Sequence, residues 1–294
     1  MHSSYVETGL AGNGTFRWVA ADLTLVLEEA RRRLDLSPLA SVALGRSLTG
    51  AALLQRLAFK VPARLILEVS GDGTLGSVRA EAESTGGMRG TVANPRVEGG
   101  TGDFRIAGAL GEGSLRVTRE SAGRRYTSQV SLISGELGDD LTHYLEQSEQ
   151  VRSAILLGVL PVRTGIAAAG GLIVEALPGT DEDSLRQLET NINSLEGVSR
   201  QLEAGGVPRL LAGAFAGLDP EQLERFSLEY RCRCDRERLL SYLRALGTED
   251  LSEVAEADGS CEAVCSYCGN RYLYRPRELS SSADAALGNA ASVV

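Results

Sequence analysis

The chain has five cysteines and none before position 232: Cys232, Cys234, Cys261, Cys265 and Cys268 fall within 37 residues. A disulfide framework would staple a secreted chain along its whole length. A cluster confined to one end constrains one small segment instead, and it points to metal or redox chemistry. The pattern is Cys232-Arg-Cys234, thirty intervening residues, then Cys265-Ser-Tyr-Cys268. Two closely spaced thiolate pairs brought together by a connecting segment supply the four soft ligands of a tetrahedral zinc ion. Cys261 exceeds that four-ligand limit and is expected to be a bystander thiol.

The CxC half is unusual for a purely structural ribbon, which normally uses CxxC twice. Thiols one residue apart pair only with backbone strain, and strained disulfides are labile. The stretch Arg231-Cys-Arg-Cys-Asp-Arg-Glu-Arg238 sets four arginines around the first pair. Four thiolates on one Zn²⁺ leave a net charge of about −2, which guanidinium groups compensate. The same groups favour ionised thiols, the form that oxidants attack. Two readings follow, a redox switch or a permanent structural zinc beside a solvated arginine face, and spacing alone leaves both open.

The rest of the chain is organised differently. Tyr5–Leu10 and Thr15–Asp22 are strand-like and flank Asn13-Gly14, a hairpin signal. Thr24 is placed to cap a helix through Leu34, and Ser37-Pro38 to open a second through about Leu57. Short strands between glycine-rich turns follow at Arg64–Ser70, Leu75–Glu83, Met88–Ala93, Asp103–Ala109, Ser114–Glu120 and Arg125–Leu132. Ser134 would cap a helix through Gln147, and Ser153–Leu177 reads as buried strand. Strands grouped together with helices segregated predict an α+β core over residues 1–178, built on a large antiparallel-rich sheet.

After Pro178-Gly179 the pattern turns helical to about Phe226, with Leu185, Leu188, Ile192 and Leu195 at helical spacing. Gly197, Gly205-Gly206, Pro208, Gly213, Gly217 and Pro220 break it into short helices that draw stability from what they pack against. Residues 179–230 are therefore expected to form a docked, metastable linker. Residues 231–279 are expected to form the cysteine unit, and the small-residue stretch 280–294 a disordered tail.

Composition narrows the function classes. With 39 acidic and 30 basic residues the net charge is −9, which disfavours general binding of a phosphate backbone. Lys60 is the only lysine, so a lysine-dependent mechanism would have to rest on it. The longest apolar runs, Ser153–Val162 and Pro208–Leu218, fall short of the roughly 18 residues needed to span a bilayer. The first residues, MHSSYVETGL, lack a basic region and an apolar core, so a soluble cytoplasmic protein is expected. Gly71-Asp-Gly-Thr-Leu-Gly76 matches a dinucleotide fingerprint but leads into the alternating Val78-Arg-Ala-Glu-Ala-Glu83, another strand, and reads as a hairpin turn. With only His2 and His143, and no nucleophile constellation, no catalytic residue is assigned and an enzyme is not expected.

At the cysteines, and then along the chain, the sequence resembles the Hsp33 family of redox-regulated molecular chaperones, whose hallmark is CxC followed by CxxC near the C-terminus. Ser134-Gly-Glu-Leu-Gly-Asp-Asp-Leu-Thr-His-Tyr-Leu-Glu-Gln-Ser-Glu-Gln150, Gly71–Gly76, Asn94-Pro95 and Ala168–Gly179 are also similar to that family. The resemblance runs from about Tyr5 to Leu279; Cys261 departs from it, and His143 stands where an aromatic is common. It implies an ATP-independent holdase, inactive while reduced and holding one zinc on Cys232, Cys234, Cys265 and Cys268. It further implies that oxidation pairs Cys232 with Cys234 and Cys265 with Cys268, releases the metal and exposes apolar surface to unfolding client proteins. Dimerisation through the N-terminal domain is implied to accompany activation. The alternative from another class is a zinc-ribbon protein that binds nucleic acid through Arg231–Arg238, against which the overall acidity and the lack of a wider basic stripe count.

Overall fold

Helix α2, Pro38–Ala58, is apolar on every side, the composition of a helix enclosed in an interior. Leu39, Ala43, Leu44, Leu48, Leu53 and Leu54 are buried, and so are Ser47 and Thr49. The hydroxyls of these two are satisfied within the helix, Ser47 Oγ donating to Ala43 O and Thr49 Oγ1 to Gly45 O, each at 2.8 Å. Gly45 permits close packing, since a Cβ there would sit 2.5 Å from Leu27 and 2.7 Å from Val159. Ser37 caps the helix start as the sequence suggests, its Oγ accepting from Ala40 N at 3.2 Å.

The computed structural model describes residues 3–58, 63–99, 104–246, 250–251 and 255–279. His2, Lys60 and the expected tail at 280–294 lie outside the described residues. The chain divides into two compact units with the boundary after Arg231.

In the larger unit α2 packs against two sheets. The first has five strands in the order β10-β1-β2-β9-β8: β1 Tyr5–Ala11, β2 Phe16–Asp22, β8 Ser153–Val162, β9 Gly165–Ala176 and β10 Glu221–Ser227. The second has six in the order β11-β5-β4-β3-β6-β7: β3 Ala63–Gly71, β4 Ser77–Glu83, β5 Gly87–Val92, β6 Gly113–Ser121, β7 Arg124–Ser131 and β11 Glu229–Tyr230. All neighbours are antiparallel except β11 and β5. The α+β class holds, with the strands shared between two sheets rather than one. On the outer face of the second sheet Glu81, 1% exposed, is held by Arg64, Arg79 and Arg89.

One core joins α1 (Thr24–Leu34), α2 and the inner faces of both sheets. A second lies on the opposite face of the five-stranded sheet, where Phe16, Trp18, Leu172 and Val174 are covered by α5 (Glu182–Asn193) and α6 (Val198–Ala214). A strand apolar on both faces is what the nearly unbroken run in β9 encodes. Leu188 is buried there, with Leu185, Ile192 and Leu195 packed beside it. Asn191 ties the two helices together, its Nδ2 donating to Ala214 O at 3.1 Å and Ala216 O at 2.9 Å. Gly205-Gly206 breaks the helical φ/ψ inside α6, and Pro208 follows at the restart, where its missing N–H costs nothing.

Several expectations are corrected. Residues 221–227 are strand β10 and not helix, because Pro220 ends the helical pattern and β1 offers an open edge with which 221–227 pairs. Residues 104–106 are irregular and α3, Ala107–Leu110, is a single helical turn, so the expected strand at 103–109 is absent from its described part. There Glu136 Oε1 accepts from Ile106 N and Ala107 N at 2.8 and 3.2 Å, taking amides that a strand would need for its ladder. Thr24 does not cap α1; Ser4 Oγ accepts from Leu25 N and Val26 N instead, each at 3.2 Å. The helix expected from Ser134 is α4, Leu137–Tyr144, followed by a π-helical turn through Glu149, and Ser134 Oγ accepts from Glu136 N ahead of it.

The smaller unit contains α7 (Arg236–Arg244), the hairpin β12 (Cys261–Val264) and β13 (Arg271–Tyr274), and α8 (Pro276–Leu279). Asp235 caps α7 through Arg238 N at 2.7 Å. Among the described residues the buried apolar cluster of this unit is three residues, Cys261, Tyr274 and Leu279, with partly buried leucines against them. So small a core does not hold a domain of this size without a further crosslink.

Candidate metal centre

The sulfurs of Cys232, Cys234, Cys265 and Cys268 all lie within 4.8 Å of one another. Cys234 and Cys268 approach to 3.3 Å and Cys232 and Cys265 to 3.6 Å. Thiolates about 2.3 Å from a tetrahedral zinc would stand roughly 3.8 Å apart, so the four thiols are already arranged as a ligand set. Cys265 and Cys268 are buried and Cys232 and Cys234 half-buried.

Local structure explains the convergence. The turn after β12 places Cys265 and Cys268 on one side: Cys268 N and Gly269 N donate to Cys265 O at 3.3 and 2.8 Å, and Cys265 N donates to Asn270 O at 2.9 Å. Gly269 closes this turn at φ 71, a conformation that glycine takes without a Cβ penalty. Cys232 and Cys234 come from the extended segment just ahead of the Asp235 cap.

Burial opposes ionisation and pushes the Cys232 and Cys268 thiols above the ordinary value. At Cys234 the same burial is outweighed by hydrogen bonds from Tyr272 and the neighbouring thiols, which hold it below the ordinary value. Tyr272 Oη lies 3.4 Å from Cys234 Sγ. The hydrogen bond to Cys234 pushes the phenol up; beside a metal-bound thiolate, which carries no proton, the phenol is the partner able to donate. Sequence reasoning missed Tyr272. The available signal was its place four residues after Cys268, in a strand whose alternation sets Tyr272 and Tyr274 on one face.

The other residues singled out in the sequence fall as follows. Cys261 is 2% exposed, packed with Tyr274 and Leu279, and is not among the four converging thiols. Arg231 pairs with Glu229; Arg236 bonds Glu278 at 2.6 Å and stacks over the Tyr274 ring at 4.5 Å; Arg238 Nε donates to Tyr242 Oη at 3.2 Å. Three of the four flanking arginines thus serve acidic and aromatic partners, which weakens both their assigned role beside the sulfurs and the basic patch of the nucleic-acid alternative. Gly71–Gly76 is a β3–β4 turn, with Gly73 N donating to Leu110 O at 2.9 Å. His143 is half-buried on α4. No helix among the described residues is long and apolar enough to cross a membrane.

Comparison with known proteins covers nearly the whole chain. A family model described as Hsp33 protein matches residues 4–275. The 33 kDa chaperonin of Thermus thermophilus is 43% identical over 288 residues, spanning 93% of this chain and 84% of that protein. The 33 kDa chaperonin of Bacillus subtilis (strain 168) is 36% identical over 287 residues, spanning 95% and 98%. The crystal structure of the 33 kDa chaperonin from Thermotoga maritima matches with a TM-score of 0.87 at 34% identity, over 95% of this chain and 97% of that one.

Proposed function

The chain belongs to the Hsp33 family, and we propose that it is a redox-switched holdase that binds unfolding proteins only after its thiols are oxidised. The observation that carries this is the convergence of four thiols at 4.8 Å or less in a unit whose buried apolar cluster, among the described residues, has three members. A zinc ion on Cys232, Cys234, Cys265 and Cys268 would supply the missing crosslink, on the order of 10 kcal/mol for a small module. Oxidation by peroxide would join the Cys232 and Cys234 thiolates in one disulfide and the Cys265 and Cys268 thiolates in another; each pair gives two electrons to one H2O2, which takes two protons from solvent and leaves as two waters, and disulfide sulfur is a poor metal ligand. The smaller unit then lacks both its crosslink and an adequate core, and it unfolds.

The continuous chain from Cys232 back into β11 and β10 is the route by which that change reaches α5 and α6. These two helices cover Phe16, Trp18, Leu172 and Val174. Their release would present that face to apolar segments of clients, and dimerisation through residues 1–178 is part of the proposal. The chain acts in this scheme as a binding protein of the cytoplasm and not as an enzyme. The test is light scattering of a heat-unfolding client, with zinc and free thiols counted in parallel. Peroxide-treated protein should suppress aggregation, having lost one zinc and four thiols, and reduced protein should not. Equal suppression by both forms would overturn the switch.

A further inference from the structure

Tyr272 has no part in holding a metal, yet it touches the cluster. We propose that Tyr272 is a positioning residue that guards Cys234: its phenol O–H fixes that sulfur toward the other three and slows its attack on electrophiles. The inference rests on the four thiols being a redox switch, and it adds an order to their reactivity.

Two tyrosines on one face of β13 pin the same short segment. Tyr272 Oη reaches Cys234 Sγ at 3.4 Å, and Tyr274 Oη donates to Arg236 O at 2.8 Å, two residues further along. Tyr274 is fully buried, and the Arg236 guanidinium lies over its ring at 4.5 Å. The hairpin register, with Ala263 opposite Tyr272 and Cys261 opposite Tyr274, holds both phenols in place. The Cys234 segment is therefore fixed at the sulfur and at a backbone carbonyl by partners from one strand. A hydrogen bond to a thiolate is charge-assisted, and it draws electron density from the lone pair that would attack. Hydrogen bonds of this kind orient and tune metal-bound sulfur.

Tyr272→Phe removes the donor and keeps the ring. Reduced, zinc-loaded protein is treated with iodoacetamide at low conversion, where the thiolate displaces iodide and forms one S–C bond. The first modified cysteine is mapped by mass spectrometry. Cys234 should be modified roughly three- to tenfold faster in Tyr272→Phe, the range expected from losing part of a charged hydrogen bond. Cys232, Cys265 and Cys268 should change less than twofold. 3-Fluorotyrosine at position 272, a more acidic donor of the same shape, should slow Cys234 instead. An unchanged share at Cys234, or a rise common to all four cysteines, overturns the proposal, as does a fluorotyrosine protein no slower than wild type. A chain that carries no zinc when reduced overturns the proposed function, whereas zinc-loaded protein with an unchanged share at Cys234 overturns only the role of Tyr272.

Discussion

The sulfurs of Cys234 and Cys268 stand 3.3 Å apart, one from each half of the motif. All four sulfurs lie within 4.8 Å, so proximity in the reduced state does not choose partners. Loop closure does. The chain closes over one or two intervening residues within a half and about thirty between halves, and the shorter closures keep their advantage as the unit unfolds. Peptide mapping after peroxide should find Cys232–Cys234 and Cys265–Cys268. A dominant Cys234–Cys268 bond would show that the folded geometry traps the product before the chain opens.

Cys261 and Cys268 should separate cleanly in a zinc titration. Cys261 packs in the small apolar cluster, so Cys261→Ala should keep one zinc per chain and lower stability by about 1 kcal/mol through lost packing. Cys268→Ser removes one of the converging thiols and should abolish tight binding. Release to a chromophoric chelator reads both, and loss of zinc from Cys261→Ala would reassign the ligand set.

The helices over the five-stranded sheet offer a way to activate without oxidant. Leu188 is 6% exposed against the Trp18 face, and Leu188→Ala should cost about 2–4 kcal/mol. Asn191→Ala strips partners from two carbonyls at the C-terminal end of α6 and should cost about 1–3 kcal/mol. Hydrogen exchange in either variant should rise across 182–214 while β3 and β6 stay protected. Reduced Leu188→Ala should hold back aggregation in part; full protection of 182–214 in that variant would uncouple these helices from activity.

The β1–β10 edge should respond to pH with a definite sign. Burial raises the Glu7 carboxyl above its ordinary value, against the opposing effect of Arg225. A group raised on folding contributes stability that is complete below its unfolded value and is lost as pH rises through the folded one. Protection of β1 and β10 should therefore be greater near pH 4 than at pH 7, relative to a Glu7→Gln variant that removes the dependence. A wild-type difference between these pH values no larger than that of Glu7→Gln would show that Glu7 is not the group responsible.

A buried carboxylate on the other sheet gives a contrasting result. Glu81 is 1% exposed between Arg64, Arg79 and Arg89. Glu81→Ala leaves three guanidinium groups around the vacated position, with Glu120 still beside Arg64 and Glu68 beside Arg79, and should destabilise by about 1–3 kcal/mol in thermal unfolding. A loss below about 1 kcal/mol would mean that the arginines relax freely into solvent.

What the sequence made legible follows from how local each signal is. The β1–β2 hairpin was readable because Asn13-Gly14 fixes a turn between two strand-like segments, and α2 because Ser37-Pro38 sets its start. The four thiols were readable as a group because the residue types admit few other roles. Strand β10 was not readable: Glu221–Ser227 is almost wholly exposed and becomes strand only because β1 offers it an edge. The α3 turn was hidden for a similar reason, since Glu136 supplies its amide partner from thirty residues away. Tyr272 was hidden because a phenol in a strand carries no mark of the sulfur it will meet.

Strands β10 and β11 are consecutive, yet β10 closes the edge of one sheet and β11 the edge of the other. Residues 221–230 thus form a stitch between two sheet margins, and the first cysteine comes two residues beyond its end. Tension on that cysteine would load the two-residue end first, where Glu229 N donates to Gly86 O and Arg231 N to Met88 O. Among the described residues the shortest strand of the larger unit thus stands next to the first cysteine, so the margin of the six-stranded sheet is the first ordered backbone that a change at Cys232 meets along the chain.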